Sequence, residues 1–171
     1  MTCPNWRWAL FRIKRILYPT DFSPYSNQAY FHAVGLAELH AAKLTVMYVF
    51  NRKSDPQGDP AYWRGQLEQI RPANHAIAVE HILLEGDPGE VIPRYVADAG
   101  IDMVVMGTHG RTGQERLLMG SVAEQTLRSA PCSVLVVKLP KRIATDVRAD
   151  AGQSSPSHQV LSRSGAAVKA D

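Results

Sequence analysis

The chain has 171 residues, of which 45% are apolar and 20% charged, a balance that fits one globular domain with a sizeable core. Its net charge of +3 sits at the ends: Arg7, Arg12, Lys14 and Arg15 meet no acid in the first 15 residues, residues 140–171 hold five bases and three acids, and the body between holds ten bases and thirteen acids. That layout argues against nucleic-acid binding by the body, the lack of an 18-residue apolar run argues against a membrane span, and Cys3 and Cys132 alone make neither a disulfide framework nor a metal spacing.

Residues 1–12, MTCPNWRWALFR, are basic and aromatic but lack the apolar segment of a secretory signal, so they are expected to form a mobile extension of a cytoplasmic protein. Ile13 to Pro19 reads as the first strand, and Ser23-Pro24 as a helix start, with proline placed where its missing N–H is harmless. Ala29, Ala33, Leu36 and His40 then recur at helical spacing. Lys43 to Phe50 is a second strand, Ala61 to Arg71 a short helix after a turn-rich loop, and His75 to Leu84 a third strand. Asp87, Pro88 and Glu90 open another helix, as cap, first-turn proline and third-position acid; Gly100 ends it.

The most informative stretch runs from Ile101 to Lys138. Met103 to Met106 is too short for a helix and suits a strand buried on both faces of a parallel sheet. Glycines follow at 107, 110, 113 and 120, Ser121 and Glu124 read as a capping box, and Val134 to Val137 is a last strand. Cys132, just before that strand, is expected to be a small buried hydrophobe. Glycines can take positive φ and bare their amides, and a following helix start adds a positive dipole end, so the pattern suits a phosphate. No Gly-Lys-Ser/Thr follows, and the spacing is not the dinucleotide fingerprint. From the glycines alone, a phosphate cradle and a long surface loop both stay open.

The spacing Gly107-x2-Gly110-x9-Gly120-Ser121 resembles the nucleotide loop of the universal stress protein family, in its ATP-binding branch. VVMGTHGRTG before the loop, LLMGSVAEQTL and PCSVLVVK after it, and ILYPTDFSPYS near the start resemble that family too. The resemblance spans about residues 13–139, between the extension at 1–12 and a polar tail at 140–171 expected to be disordered. Alternation of strand and helix already points to a doubly wound α/β sheet. The resemblance adds five parallel strands in the order 3-2-1-4-5, helices on both faces, and a crevice between strands one and four, as in adenine nucleotide alpha hydrolases.

It also implies the site. Pro19, Thr20 and Asp21 match the segment lining the nucleoside, with Asp21 placed to accept from ribose hydroxyls, although an Asx turn is its other reading. Val49 matches the residue whose backbone meets adenine, and Met106 and Gly107 those beside ribose and base. Gly110, Gly120, Ser121 and Val122 match the positions wrapping the phosphates, and Arg111 stands where it would neutralise their charge. Gly113 is given no role. ATP is then the expected ligand, with Mg2+ or Mn2+ held mainly by its phosphates. His109 is the one histidine near such chemistry, expected to pack on the loop, and with no second acid–base group in view any hydrolysis should be slow. The resemblance further implies a homodimer paired through Val134 to Val137, an apolar edge that needs cover. The expected function is an ATP-binding stress-response regulator or switch acting on protein partners the sequence does not name. The alternative is a dimeric interaction module with an empty crevice. A transferase or pyrophosphatase of related fold would want a serine-glycine phosphate loop where Pro19 to Ser23 stands.

Overall fold

The computed structural model describes residues 12–54, 58–110 and 119–139. The expected extension up to residue 11, Arg111 and Gly113 in the glycine loop, and the tail from 140 lie outside the described residues.

Among the described residues five strands alternate with four helices: β1 (Arg15–Pro19), α1 (Pro24–His40), β2 (Lys43–Phe50), α2 (Pro60–Glu68), β3 (Val79–Glu85), α3 (Pro88–Ala99), β4 (Met103–Gly107), α4 (Ser121–Ser129) and β5 (Ser133–Val137). The strands form one all-parallel sheet in the order β3-β2-β1-β4-β5, as expected. Successive residues of a strand point to opposite faces, yet nearly all of β1, β2 and β4 is buried, so both faces must be covered. Ile16, Tyr18, Val46, Tyr48 and Val105 face a core built with Ala29, Ala33 and Ala37 of α1 and Leu67 of α2. Leu17, Met47, Val49, Val104 and Met106 face the other, built with Val91, Ile92 and Val96 of α3 and Ala123 of α4. The alanine stripe of α1 lets that helix approach the sheet closely.

Several boundaries differ from the sequence expectation, each for a local reason. β1 starts at Arg15 rather than Ile13, because the carboxylate of Asp102 accepts from the backbone N–H of Lys14 (2.8 Å) and Arg15 (2.9 Å) where a ladder would continue. α2 stops at Glu68, short of Arg71: the guanidinium of Arg71 folds back onto the Glu68 carbonyl (3.0 Å), and Pro72 disfavours helix before it. β3 begins at Val79 rather than His75, since Asn74 forms a turn in which its side chain accepts from Ala76 N–H (3.0 Å) and its carbonyl from Ile77 N–H (3.3 Å). The capping box at Ser121 does not form: the N-cap is Gly120, Ser121 is the first helical residue, and no side chain caps the helix. Cys132 is half-buried rather than buried, its thiol near the Ser133 carbonyl (3.5 Å) and its pKa pushed up by partial burial.

Helix ends obey the usual backbone rules in one case and strain them in another. α3 ends at Gly100 with φ 60°, the left-handed conformation that suits glycine, and Arg15 donates to the carbonyl of Ala99 beside it. α1 ends at Ala41 with φ 50°, the same conformation on a residue that carries a Cβ. Gly100→Ala should therefore destabilise the protein by about 1–2 kcal/mol, and Ala41→Gly should leave it equal or up to about 1 kcal/mol more stable. Denaturant midpoints of the two variants, measured together, check the opposite signs.

Candidate functional site

β1 and β4 are neighbours, but they pair only at Ile16↔Met103 and Leu17↔Val104. Beyond that point the chain after β1 stays with β2, through Thr20 N–H to the Met47 carbonyl (2.8 Å). The chain after β4 stays with β5, through Thr108 N–H to the Val137 carbonyl (3.0 Å). The two carboxyl ends therefore part, and a cleft with an inner volume of about 150 Å³ opens between them. Its position is the switch point of a doubly wound sheet.

The cleft gathers Pro19, Thr20 and Asp21 from β1 and its loop, Val49 from β2, Met106, Gly107 and Gly110 from β4 and its loop, and Gly120, Ser121 and Val122 from the start of α4. Every candidate residue except Arg111, which lies outside the described residues, meets there. Val49 deserves its place by register. Met47 turns its carbonyl toward β1, and Val49, two residues on, turns its peptide edge the same way, past the last β1–β2 bond. A planar ring laid on that edge would meet backbone donor and acceptor groups. Val49, Met106 and Ile92 supply apolar walls.

Seven further residues line the cleft: Ser26, Tyr48, Pro88, Ile92, Thr108, His109 and Ala123. Of these, only His109 stands out in the sequence. Pro88 and Ile92 come from the helix α3, whose packing against α4 no local motif announces. The imidazole Nδ1 of His109 lies 3.0 Å from the Thr108 hydroxyl, and its ring packs on Tyr25 at 5.2 Å between centroids.

Below the lip a buried hydroxyl network fixes the floor. Thr20 and Ser26 share a hydrogen bond (3.1 Å), the Ser26 hydroxyl donates to the Ser23 carbonyl (3.0 Å), and the Ser23 hydroxyl caps α1 by accepting from Ser26 N–H (3.3 Å). The Tyr18 hydroxyl donates to the Ser26 carbonyl (3.0 Å), and burial pushes its pKa up. One carboxylate oxygen of Asp21 accepts from Ser23 N–H (3.1 Å), so the Asx turn does form. The other faces Gly110 across the cleft, only 2.7 Å from where a Cβ on that glycine would sit.

The loop glycines differ from the sequence expectation in why they are needed. Among the described glycines only Gly86 and Gly100 have positive φ. At Gly107 a Cβ would meet the backbone carbonyl of Tyr25 at 2.7 Å, so glycine there lets α1 approach β4. At Gly120 it would sit 3.3 Å from the Thr108 carbonyl, which already accepts from Gly120 N–H (2.7 Å) and ties the end of the loop to its start. Because Gly120 caps α4 without a side chain, no capping oxygen competes for the first amides of the helix, where an anion is favoured.

The turn carrying Asp21 is strained. Phe22 has φ 61°, a conformation that costs a residue with a Cβ about 1–2 kcal/mol. Its ring packs at 5.5 Å and 20° on Trp63, and at 5.2 Å on Tyr48. Such pairs contribute about 0.5–1.5 kcal/mol each, enough to hold the turn.

The profile of the universal stress protein family matches residues 12–138. Universal stress protein MJ0531 of Methanocaldococcus jannaschii is 36% identical over 144 residues, covering 75% of this chain and 84% of its own length. The chain belongs to the universal stress protein family. Among solved universal stress proteins, UspA from Lactobacillus plantarum superposes with a TM-score of 0.68 at 26% identity, covering 74% of this chain and 99% of its own. A universal stress protein solved in complex with cAMP shares the fold at a TM-score of 0.61 and 23% identity, covering 75% of this chain and 98% of its own.

Within this family member the two glycines nearest the lip should behave differently. Gly107→Ala drives a Cβ into backbone and should destabilise the protein by about 2 kcal/mol or more, whereas Gly110→Ala displaces only the end of a carboxylate and should lose less than about 1 kcal/mol. Equilibrium unfolding of both variants checks the order.

Proposed function

We propose that the cleft binds ATP and that the protein is a nucleotide-dependent regulator of the stress response, with at most slow hydrolysis. One observation carries this: a single cleft holds the peptide edge of Val49, past the last β1–β2 bond and between apolar walls, a carboxylate at Asp21, and a helix start at Gly120, Ser121 and Val122 that no side chain caps. These suit, respectively, a purine ring, a ribose and a polyphosphate, the three parts of ATP. The family resemblance of the glycine spacing supports the same ligand.

Among the described residues no group of three or more His, Cys, Asp or Glu side chains could hold a metal ion. The Mg2+ or Mn2+ accompanying ATP would be held mainly by phosphate oxygens and water, as divalent cations on polyphosphates are. His109 is committed to Thr108 and Tyr25, an arrangement suited to shaping the loop rather than to proton transfer. No described helix is long and apolar enough to cross a membrane; the proposed setting is the cytoplasm.

Calorimetry with ATP and Mg2+ should give saturable one-site binding, with a gain of about 2.7 kcal/mol in stability at a hundredfold excess over Kd. Gly120→Val puts branched carbon beside the Thr108 carbonyl and at the first turn of α4, and should abolish binding while the chain still folds. Unchanged affinity in that variant would remove the role given to the loop, and no heat with the wild-type protein would favour the interaction module with an empty cleft.

The proposal extends to assembly. β5 is the sheet edge beyond β4, and its Leu135 is 36% exposed. An exposed apolar edge invites pairing, and a second copy offering the same strand would close it by two-fold symmetry. Sedimentation at micromolar concentration should return twice the chain mass; a monomer at high micromolar concentration would overturn the dimer.

A further inference from the structure

Phe22 follows Asp21 directly but does not itself line the cleft; its ring packs on Tyr48 of β2, which does, and on Trp63 of α2, which does not. Tyr48 and Trp63 also touch each other, at 5.0 Å between centroids, so each of the three rings packs on the other two, and Tyr62 packs edge-on against Trp63 at 5.0 Å.

We propose that Phe22 is a positioning residue for the nucleotide site, clamped by Tyr48 and Trp63 so that the packing of α2 sets the orientation of Asp21. The proposal rests on the ATP reading of the cleft. Three observations support it. A left-handed phenylalanine persists only where its surroundings over-determine it, and the rings of Tyr48 and Trp63 are tertiary contacts that do so. The turn's own bonds, Phe22 N–H to the Thr20 hydroxyl (3.0 Å) and Ser23 N–H to Asp21 (3.1 Å), run through the residues that form the lip, so a relaxed φ at Phe22 would rotate them. Asp21 spends one oxygen on that turn and presents the other toward Gly110. Its aim is thus tied to the backbone of the next residue. α2, remote from the phosphates, becomes part of the site by this route. By reciprocity, a ligand holding Asp21 also stabilises the seating of α2.

The test is a double-mutant cycle on the full chain, read as ATP affinity by calorimetry with Mg2+. Trp63→Leu and Phe22→Gly are each expected to weaken binding about five- to twentyfold, while Phe22→Tyr keeps the ring and binds within about twofold of wild type. Glycine takes φ 61° without strain, so Phe22→Gly binding as well as wild type would show that the ring does no positioning and would overturn the proposal. In an Asp21→Asn background, Trp63→Leu should add less than about twofold; a loss that multiplies in full would mean general loosening, and would also overturn it. Should Trp63→Leu not fold, Phe22→Gly against Asp21→Asn completes the same cycle, the exchange being confined to a loop. Wild-type protein that takes no ATP removes the nucleotide reading and this inference together. Wild-type binding with unaltered variants removes the inference alone.

Discussion

Strands β1 and β4 hold together over two residue pairs and then part, one continuing along β2 and the other along β5. In a parallel sheet wound both ways from its centre, the two middle strands send their chains to opposite faces, so no connection fills the space between their carboxyl ends. Every feature of the candidate site is referred to that gap. The Thr20–Asp21 lip stands on one side, Gly107 to Gly110 on the other, and α4 begins where the second side turns back. The peptide edge of Val49 is uncovered for the same reason: β1 ends before reaching it.

What keeps the gap from collapsing is a division of labour among small and large side chains. Glycine at 107 and the alanine stripe of α1 allow close helix–sheet contact, which brings the hydroxyl network of Thr20, Ser23 and Ser26 under the lip. Aromatic rings act on the outer side, where Phe22, Tyr48 and Trp63 brace the turn from α2. The site is thus rigid at its floor and at one wall through packing that no ligand contact requires.

Much of this was legible in the residues. Buried valine runs, the Ser23-Pro24 and Asp87-Pro88 starts and the Gly100 stop placed most elements within a few residues, because caps and breakers act locally. Glycine spacing pointed to the right loop, but positive φ is not what Gly107 and Gly110 supply: at 107 the backbone of Tyr25 excludes a side chain, and at 110 a Cβ would meet only the end of the Asp21 carboxylate. Ser121 looked like a cap because serine followed three residues later by glutamate is a common cap pattern, yet the helix starts one residue earlier, on Gly120.

By itself the sequence determined the alternation of strand and helix, the two-faced burial of the central strands and the family, since each follows from local periodicity or from a motif in linear order. Only the tertiary structure decided that Pro88 and Ile92 of α3 wall the cleft, that Phe22 sits in a left-handed turn and that Trp63 reaches back to brace it. Those depend on contacts between residues of different elements, Phe22 standing 26 positions from Tyr48 and 41 from Trp63, where helix packing and ring stacking fix the geometry and leave no periodic trace in the chain.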